Sequence, residues 1–283
     1  MNSYIPKNLP ELFNALGKMT AESKIIGGGT DLTISLNKGN YEPDALLYMG
    51  ELEDARKILE TADSIEIGAM VNMAEIAESP ILTGPYTALK HAAADLGSVQ
   101  IRNMATIGGN FANASPAGDL IPALYLLKAE VVIAGADDLL RREPVERVIE
   151  GSGLTSLNYN EAIVKFVIPK TWPSTAKSAY AKLGYRKSLT VSRIGLAMML
   201  DLDGDGVITS ATVIAGAISP KPVNIGQAEK CLTGKKLTPE MVEQAAKHLS
   251  DLIMEITPEI FDRDYKARAA YGITEDLFAK FSQ

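Results

Sequence analysis

Three consecutive glycines, Gly27, Gly28 and Gly29, stand between a short apolar run, Ser23-Lys24-Ile25-Ile26, and a helix-like segment from Leu32 to Leu36. This junction constrains the chain more than any other feature. Amides at the start of a helix lack internal partners and favour an anion, and glycine lets a phosphate or another backbone come close. The same glycines equally suit a tight turn, wherever positive φ is needed. Two familiar phosphate loops are excluded. A Rossmann reading puts Leu32 where a small residue is required, and Gly234-Lys235 is followed by Lys236 rather than Ser or Thr, with Glu229 five positions before Gly234.

A second glycine-rich segment, Thr106-Ile107-Gly108-Gly109-Asn110, follows Gln100-Ile101-Arg102-Asn103 and precedes Ser115-Pro116-Ala117-Gly118-Asp119-Leu120. Two such loops with hydroxyl and amide side chains can hold the phosphates of a dinucleotide from opposite sides. Asp119, entering a helix, reads either as an N-cap or as a ligand contact.

Periodicity predicts a helix over Pro10–Leu16, a strand at Ala45–Met49, and an alternating strand at Ser64–Ala69. The first fifty residues thus read as a small βαβ-type unit. A larger α+β portion follows from about residue 55, with helices near Tyr86–Leu96 and Leu120–Lys128 and a strand at Glu130–Ala134. Two prolines in Pro169-Lys170-Thr171-Trp172-Pro173-Ser174 break the pattern and set a boundary there. Beyond it come strands at Ser178–Leu183, Gly195–Asp201 and Val207–Gly216, then helices at Pro239–Ile253 and Asp264–Tyr271. Strands followed by helices predict an α+β second domain.

Composition removes several functions. The chain has 283 residues, which suggests two domains, and its 28 basic against 35 acidic side chains leave a net charge of −7. No basic surface is available for a nucleic acid. Cys231 is the only cysteine, so an internal disulfide or a cysteine-bound cluster is out of reach, and the two histidines, His91 and His248, have no metal-ligand spacing around them. Neither a secretory leader nor an apolar membrane span is evident, so the chain reads as cytoplasmic.

Asp201-Leu202-Asp203-Gly204-Asp205-Gly206 imitates the start of a calcium loop, but Thr212 stands where the bidentate Glu belongs; a hairpin turn is expected instead. Lys182, Arg186, Lys187 and Arg193 form a basic stretch in an acidic protein, ordinarily a solvated face. Alternation nevertheless puts Lys182 on the same face as Ser178 and Tyr180. The residues show no acid–base pair poised by burial, no metal site and no nucleophile elbow. A redox cofactor would have to bring the chemistry.

Taken together, Lys24-Ile25-Ile26-Gly27-Gly28-Gly29-Thr30-Asp31-Leu32, the Gln100 to Asn110 segment and Ser115-Pro116-Ala117-Gly118-Asp119-Leu120 resemble the FAD-binding medium subunit of the molybdenum hydroxylases. Lys182-Leu183-Gly184-Tyr185-Arg186-Lys187-Ser188-Leu189 is similar to the xanthine and nicotinate dehydrogenase branch, and Asp264 to Tyr271 to the family's closing helix. The resemblance implies a PCMH-type FAD-binding domain over residues 1–172, in subdomains of about 1–54 and 55–172, then a C-terminal α+β domain over 173–283. It implies that Ile26, Gly27, Gly28, Gly29, Thr30, Asp31 and Leu32 wrap the pyrophosphate. Thr106, Ile107, Gly108, Gly109, Asn110 and Asp119 would hold the other side, and Lys182 and Arg193 would lie near the flavin. The pattern departs from the family at Leu189 or Thr190, often acidic in relatives, and at Val191, often aromatic in carbon monoxide dehydrogenases. Expected with it are noncovalent FAD, no metal in this chain, and partners: a molybdenum-binding large subunit, a [2Fe-2S] small subunit, and NAD or another acceptor. The alternatives from other classes are a self-contained FAD-dependent oxidoreductase and a non-redox nucleotide-binding scaffold.

Overall fold

The computed structural model describes residues 1–186, 189–257 and 262–281. They form two compact units, each discontinuous in sequence. The first comprises residues 1–75, 99–114 and 128–170; the second comprises 76–98, 115–127 and 171–283. The boundary expected at residue 172 therefore divides the chain but not the space. The helices Thr87–Ala94 and Leu120–Leu126, assigned from sequence to the first domain, cluster with the C-terminal strands because their small and apolar faces pack there.

The first unit opens as the expected βαβ arrangement, with one more strand than the periodicity shows. Ala45–Tyr48 lies in the middle of a three-stranded parallel sheet, flanked by Lys24–Ile26 and by Asn2–Tyr4, which is too short to register as a pattern. The helix Leu9–Leu16 starts where Asn8 accepts from the Glu11 amide at 3.0 Å while Glu11 accepts from the Lys7 amide at 2.9 Å, a reciprocal cap. Its inner face, Leu12, Ala15 and Leu16, packs with Leu47, Met49 and Leu52. Burying each leucine is worth about 1.5–3 kcal/mol.

A five-stranded antiparallel sheet completes this unit, and its central strand is one the periodicity missed, Glu161–Pro169. It pairs with Ser64–Gly68 on one side and Glu130–Gly135 on the other, so that Phe166 stands opposite both Ile67 and Val131. Being covered on both faces, it reads Ala162-Ile163-Val164 and Phe166-Val167-Ile168 rather than alternating. Phe111 meets Phe166 edge to face at 5.3 Å, seating the helix Ile107–Ala112 on the sheet.

The second unit is built on an antiparallel sheet ordered Lys177–Leu183, Ile194–Leu202, Ile208–Gly216 and Val223–Asn224. The Asp203 to Gly206 segment is the expected hairpin turn. Asp203 accepts from the amides of Asp205 and Val207 at 3.0 and 2.8 Å, so its carboxylate is spent on the turn. One sheet face, including Ala179, Ala181, Leu196 and Met198, packs on the helices Gly226–Leu232, Pro239–Ile256 and Arg263–Ala279. Ser178, Tyr180 and Lys182 alternate onto the opposite face, as the pattern predicts. Ser178 there accepts from the Ala88 amide at 2.8 Å.

A glycine loop beside an open cavity

In the first unit the glycine loop and the second glycine segment lie against each other. A Cβ on Gly28 would stand 1.8 Å from the Met104 carbonyl oxygen, and one on Gly27 would stand 2.8 Å from Thr106 Oγ1. Only glycine permits that approach. Gly29, at φ +70°, turns the chain into the helix Leu32–Asn37. Asp31 occupies the N-cap position there without a side-chain cap bond. Among the described residues, no backbone hydrogen bond is donated by Gly28, Gly29, Thr30 or Asp31. Their amides are thus the open donors of this junction.

The second segment differs from the loop expected of it. Residues Ile107–Ala112 are a short helix, and its first three amides are already engaged: Ile107 donates to the Val71 carbonyl at 3.0 Å, Gly108 to the Ala69 carbonyl at 2.9 Å, and Gly109 to Thr106 Oγ1 at 3.2 Å. Gly108 is buried in helical conformation and leaves its Cβ space to Ala69, not to a ligand. What this segment can still offer is side chains. Thr106 accepts from Gly109 and keeps its own hydroxyl proton as a donor, and Asn110 has a buried Oδ1 with no partner.

Between these segments and the sheet opens a cavity of about 260 Å³, walled by Ile25, Met49, Met70, Ala112 and Ile163 and rimmed by Lys24, Asn158, Tyr159 and Glu161. The sequence reading missed its far wall, Met70, Leu157–Tyr159 and Glu161–Ile163. Apart from Asn158 and Glu161 these are apolar or aromatic side chains, which carry no motif; the only available signal was the apolar run of the central strand. Glu161 is fixed by two Arg141 bonds at 2.9 and 3.0 Å and by the Asn158 amide at 2.9 Å. Burial works to raise its carboxyl, but the Arg141 bonds and charge and the Asn158 amide outweigh it and hold it below the usual range.

In the second unit the remaining candidates separate into two groups. Asp119 sits at the N-cap position of Leu120–Leu126 but makes no cap bond. It is instead buried in a pair with Lys182 Nζ at 2.7 Å, and it accepts from Tyr180 at 3.1 Å and from Ser192. This corrects the expectation that no titratable pair is poised by burial. The loss of hydration pushes the Asp119 carboxyl up, opposed by the Lys182 charge and by the three hydrogen bonds. Arg193 belongs to the other group. It pairs with Asp262 at 2.8 Å and lies 4.0 Å over the Tyr185 ring. Arg186 bonds the Leu189 carbonyl at 2.9 Å, whereas Lys187 lies outside the described residues. Among the described residues no cluster of His, Cys, Asp or Glu could hold a metal ion, and no helix is long and apolar enough to cross a membrane.

FAD meets a fitting set of groups here. The loop carries open amides of the kind a pyrophosphate takes as donors, and Gly27 of the same loop lines an apolar cavity with a polar rim. Such a strand–glycine–helix junction in an α+β unit suits the class of dinucleotide-binding proteins. Residues 1–171 match the family model of the FAD binding domain in molybdopterin dehydrogenase, and residues 178–280 that of the CO dehydrogenase flavoprotein C-terminal domain. The chain therefore belongs to the FAD-binding medium subunits of the molybdenum hydroxylases, oxidoreductase components whose cofactor is FAD and whose metals reside on other subunits.

The chain is 34% identical over 278 residues to the nicotinate dehydrogenase FAD-subunit of Eubacterium barkeri, covering 97% of this chain and 94% of that one. It is 28% identical to the carbon monoxide dehydrogenase medium chain of Hydrogenophaga pseudoflava, covering 94% and 92%. A solved carbon monoxide dehydrogenase from the same organism superposes with a TM-score of 0.87 at 25% identity, covering 99% and 96%. The fold, an FAD-binding portion followed by an α+β portion with an antiparallel sheet, is that of this family.

Proposed function

We propose that this chain accepts electrons from the [2Fe-2S] clusters of a small partner subunit, after a molybdenum-bearing large subunit has hydroxylated the substrate, and passes them through FAD to NAD or another acceptor. Identity to the nicotinate dehydrogenase FAD-subunit, at 34%, exceeds the 27% to a putative xanthine dehydrogenase FAD-binding subunit of Escherichia coli, which favours the nicotinate side of that branch. On this reading the lone chain does not oxidise an organic substrate.

The observation that carries the reading is the glycine loop itself, in which Gly28, Gly29, Thr30 and Asp31 donate no backbone hydrogen bond and Gly27 lines the cavity. Gly27 to Asp31 hold the pyrophosphate, with Ile26 and Leu32 framing the loop and Thr106 donating its hydroxyl from the other side. Ile107, Gly108 and Gly109 act as the scaffold beneath, and Asn110 offers its side-chain amide. The adenosine end fills the cavity against Met70 and Ile163. Bound FAD supplies the electron-carrying chemistry; the protein supplies binding, orientation and electrostatics.

Native copurification tests the reading. The chain should emerge yellow with two other subunits that carry molybdenum and iron–sulfur centres, and acid precipitation should release intact FAD. In isolation it should transfer electrons from NADH to a dye without oxidising nicotinate or purines. Oxidation of such a substrate by the lone chain would overturn the reading.

A further inference from the structure

Every described residue that lines the 260 Å³ cavity belongs to the first unit, and most of its wall is apolar, so the polar groups on its rim decide what it accepts. Among those described lining residues Glu161 is the only acid, and its side chain is 12% exposed. Its two oxygens are unequally engaged. Oε2 accepts from Arg141 Nη2 at 3.0 Å and from the Asn158 amide at 2.9 Å, whereas Oε1 accepts from Arg141 Nε at 2.9 Å. A carboxylate oxygen has two acceptor positions. Oε2 is thus filled, and Oε1 keeps one position.

The sheet holds this arrangement in place. Arg141, in the edge strand Leu140–Pro144, stands opposite Ile133, and Ile133 stands opposite Ile163 of the central strand. Arg141 therefore shares a sheet face with Ile163 of the cavity wall. The arginine bonds and charge keep Glu161 ionised. Its neighbours narrow the ligand further. Ser23 is spent, since Oγ donates to Asp44 at 2.7 Å and accepts from the Thr20 amide at 3.0 Å. Tyr159, 53% exposed, brings an aromatic face, and Asn158 an amide that gives and takes hydrogen bonds. An apolar slot with one open acceptor near an amide suits a flat heterocycle that carries a single amine beside a ring nitrogen.

We propose that Glu161 selects the nucleobase of the dinucleotide by accepting one N–H of the adenine 6-amine at Oε1, and that Arg141 is the positioning residue that keeps the rest of the carboxylate closed. The inference rests on the placement of the adenosine end in this cavity. Hypoxanthine, with a keto oxygen in place of that amine, meets the carboxylate with an acceptor and is repelled. Guanine offers a ring N–H beside its 2-amine, a pair that needs two open acceptors side by side, and Arg141 leaves one.

The test titrates the FAD-free full chain with FAD, FMN, flavin hypoxanthine dinucleotide and flavin guanine dinucleotide, read by flavin fluorescence. FAD should bind about tenfold to a hundredfold more tightly than either keto analogue. In Glu161→Gln the amide oxygen keeps the doubly bonded Oε2 place and its NH2 takes that of Oε1, so the open acceptor becomes a donor and the preference between adenine and hypoxanthine should invert. Arg141→Met should tighten the guanine analogue relative to FAD, whereas loss of a merely structural brace would weaken all the dinucleotides alike. Should Arg141→Met fail to fold, Glu161→Gln carries the test alone. Equal affinities for FAD and the keto analogues, or ratios that neither variant moves, refute the selection while FAD binding stands. FMN bound as tightly as FAD takes the adenosine end out of the cavity, and the proposal falls with that placement. A chain that binds none of the four overturns the proposed function itself.

Discussion

Gly108 and Gly109 are neighbours in one helical turn, and the structure gives their alanine substitutions opposite consequences. At Gly108 a Cβ would stand 2.8 Å from both the Cβ and the carbonyl oxygen of Ala69. That carbonyl also receives the Gly108 amide at 2.9 Å, so moving the helix aside stretches the bond that seats it. Alanine gains about 1 kcal/mol of helix propensity over glycine. Overpacking against backbone costs about 1–3 kcal/mol, and a weakened buried hydrogen bond about 1 more. Gly108→Ala should therefore destabilise the fold by about 1–3 kcal/mol. At exposed Gly109 a Cβ meets only Thr106 Oγ1, at 3.0 Å, and Gly109→Ala should stay within about 1 kcal/mol of the parent. Urea unfolding of the FAD-free chains, followed by far-ultraviolet circular dichroism, measures both. Equal midpoints, or a weaker fold for Gly109→Ala, would refute the reasoning that the first glycine serves packing.

Gly28→Ala, whose Cβ would collide with the Met104 carbonyl, should lower flavin per chain at least tenfold, read by visible absorbance against protein, because the loop must leave the position that holds the phosphates. Lys182→Met strands Asp119 as a buried unpaired carboxylate and should cost about 3–5 kcal/mol in denaturant unfolding, much of it recovered in the double variant with Asp119→Leu. Glu161 has its folded pKa below the unfolded value, so its stabilisation is present above the ordinary carboxylate range and fades as pH falls through the lowered one. Because Arg141 is partly exposed, the effect should be about 0.5–1 kcal/mol, and Arg141→Met should flatten that acid limb of the urea midpoint. Thr106→Val removes the acceptor for the Gly109 amide and should cost about 1 kcal/mol of fold stability, together with a loss of FAD affinity in fluorescence titration.

Local pattern carried much of the architecture. The helix starting near Pro10, the strand before the glycine loop and the antiparallel strands after residue 176 stand where the sequence pattern put them, the helix through its one buried face and Ile194–Leu202, buried on both faces, through an apolar run followed by the Asp-Gly turn. Glu161–Pro169, also covered on both faces, escaped because Lys165 interrupts its apolar run, leaving neither an alternation nor an unbroken run to read. The second glycine segment was misread for a related reason: glycine beside glycine signals loop, yet here it marks a helix pressed against Ala69. Of the candidate site, the first loop was legible as glycines that only an approaching backbone or phosphate requires. Tyr180 and Ser192 were not, since their link to Asp119 spans 61 and 73 residues and depends on tertiary pairing.

The central strand also sets an order of events. The glycine loop leaves the ribosome more than a hundred residues before Ile163 of the cavity wall, and the two hairpins of the sheet cannot join until Glu161–Pro169 inserts between Ser64–Gly68 and Glu130–Gly135. Contacts so distant in sequence form late, after the entropy of closing long loops has been overcome. FAD can thus be captured only by a first unit that is already nearly complete. Supply of the cofactor then acts on maturation by mass action, drawing late-folding chains into the finished state and leaving FAD-starved ones open to proteolysis at the seam of that strand.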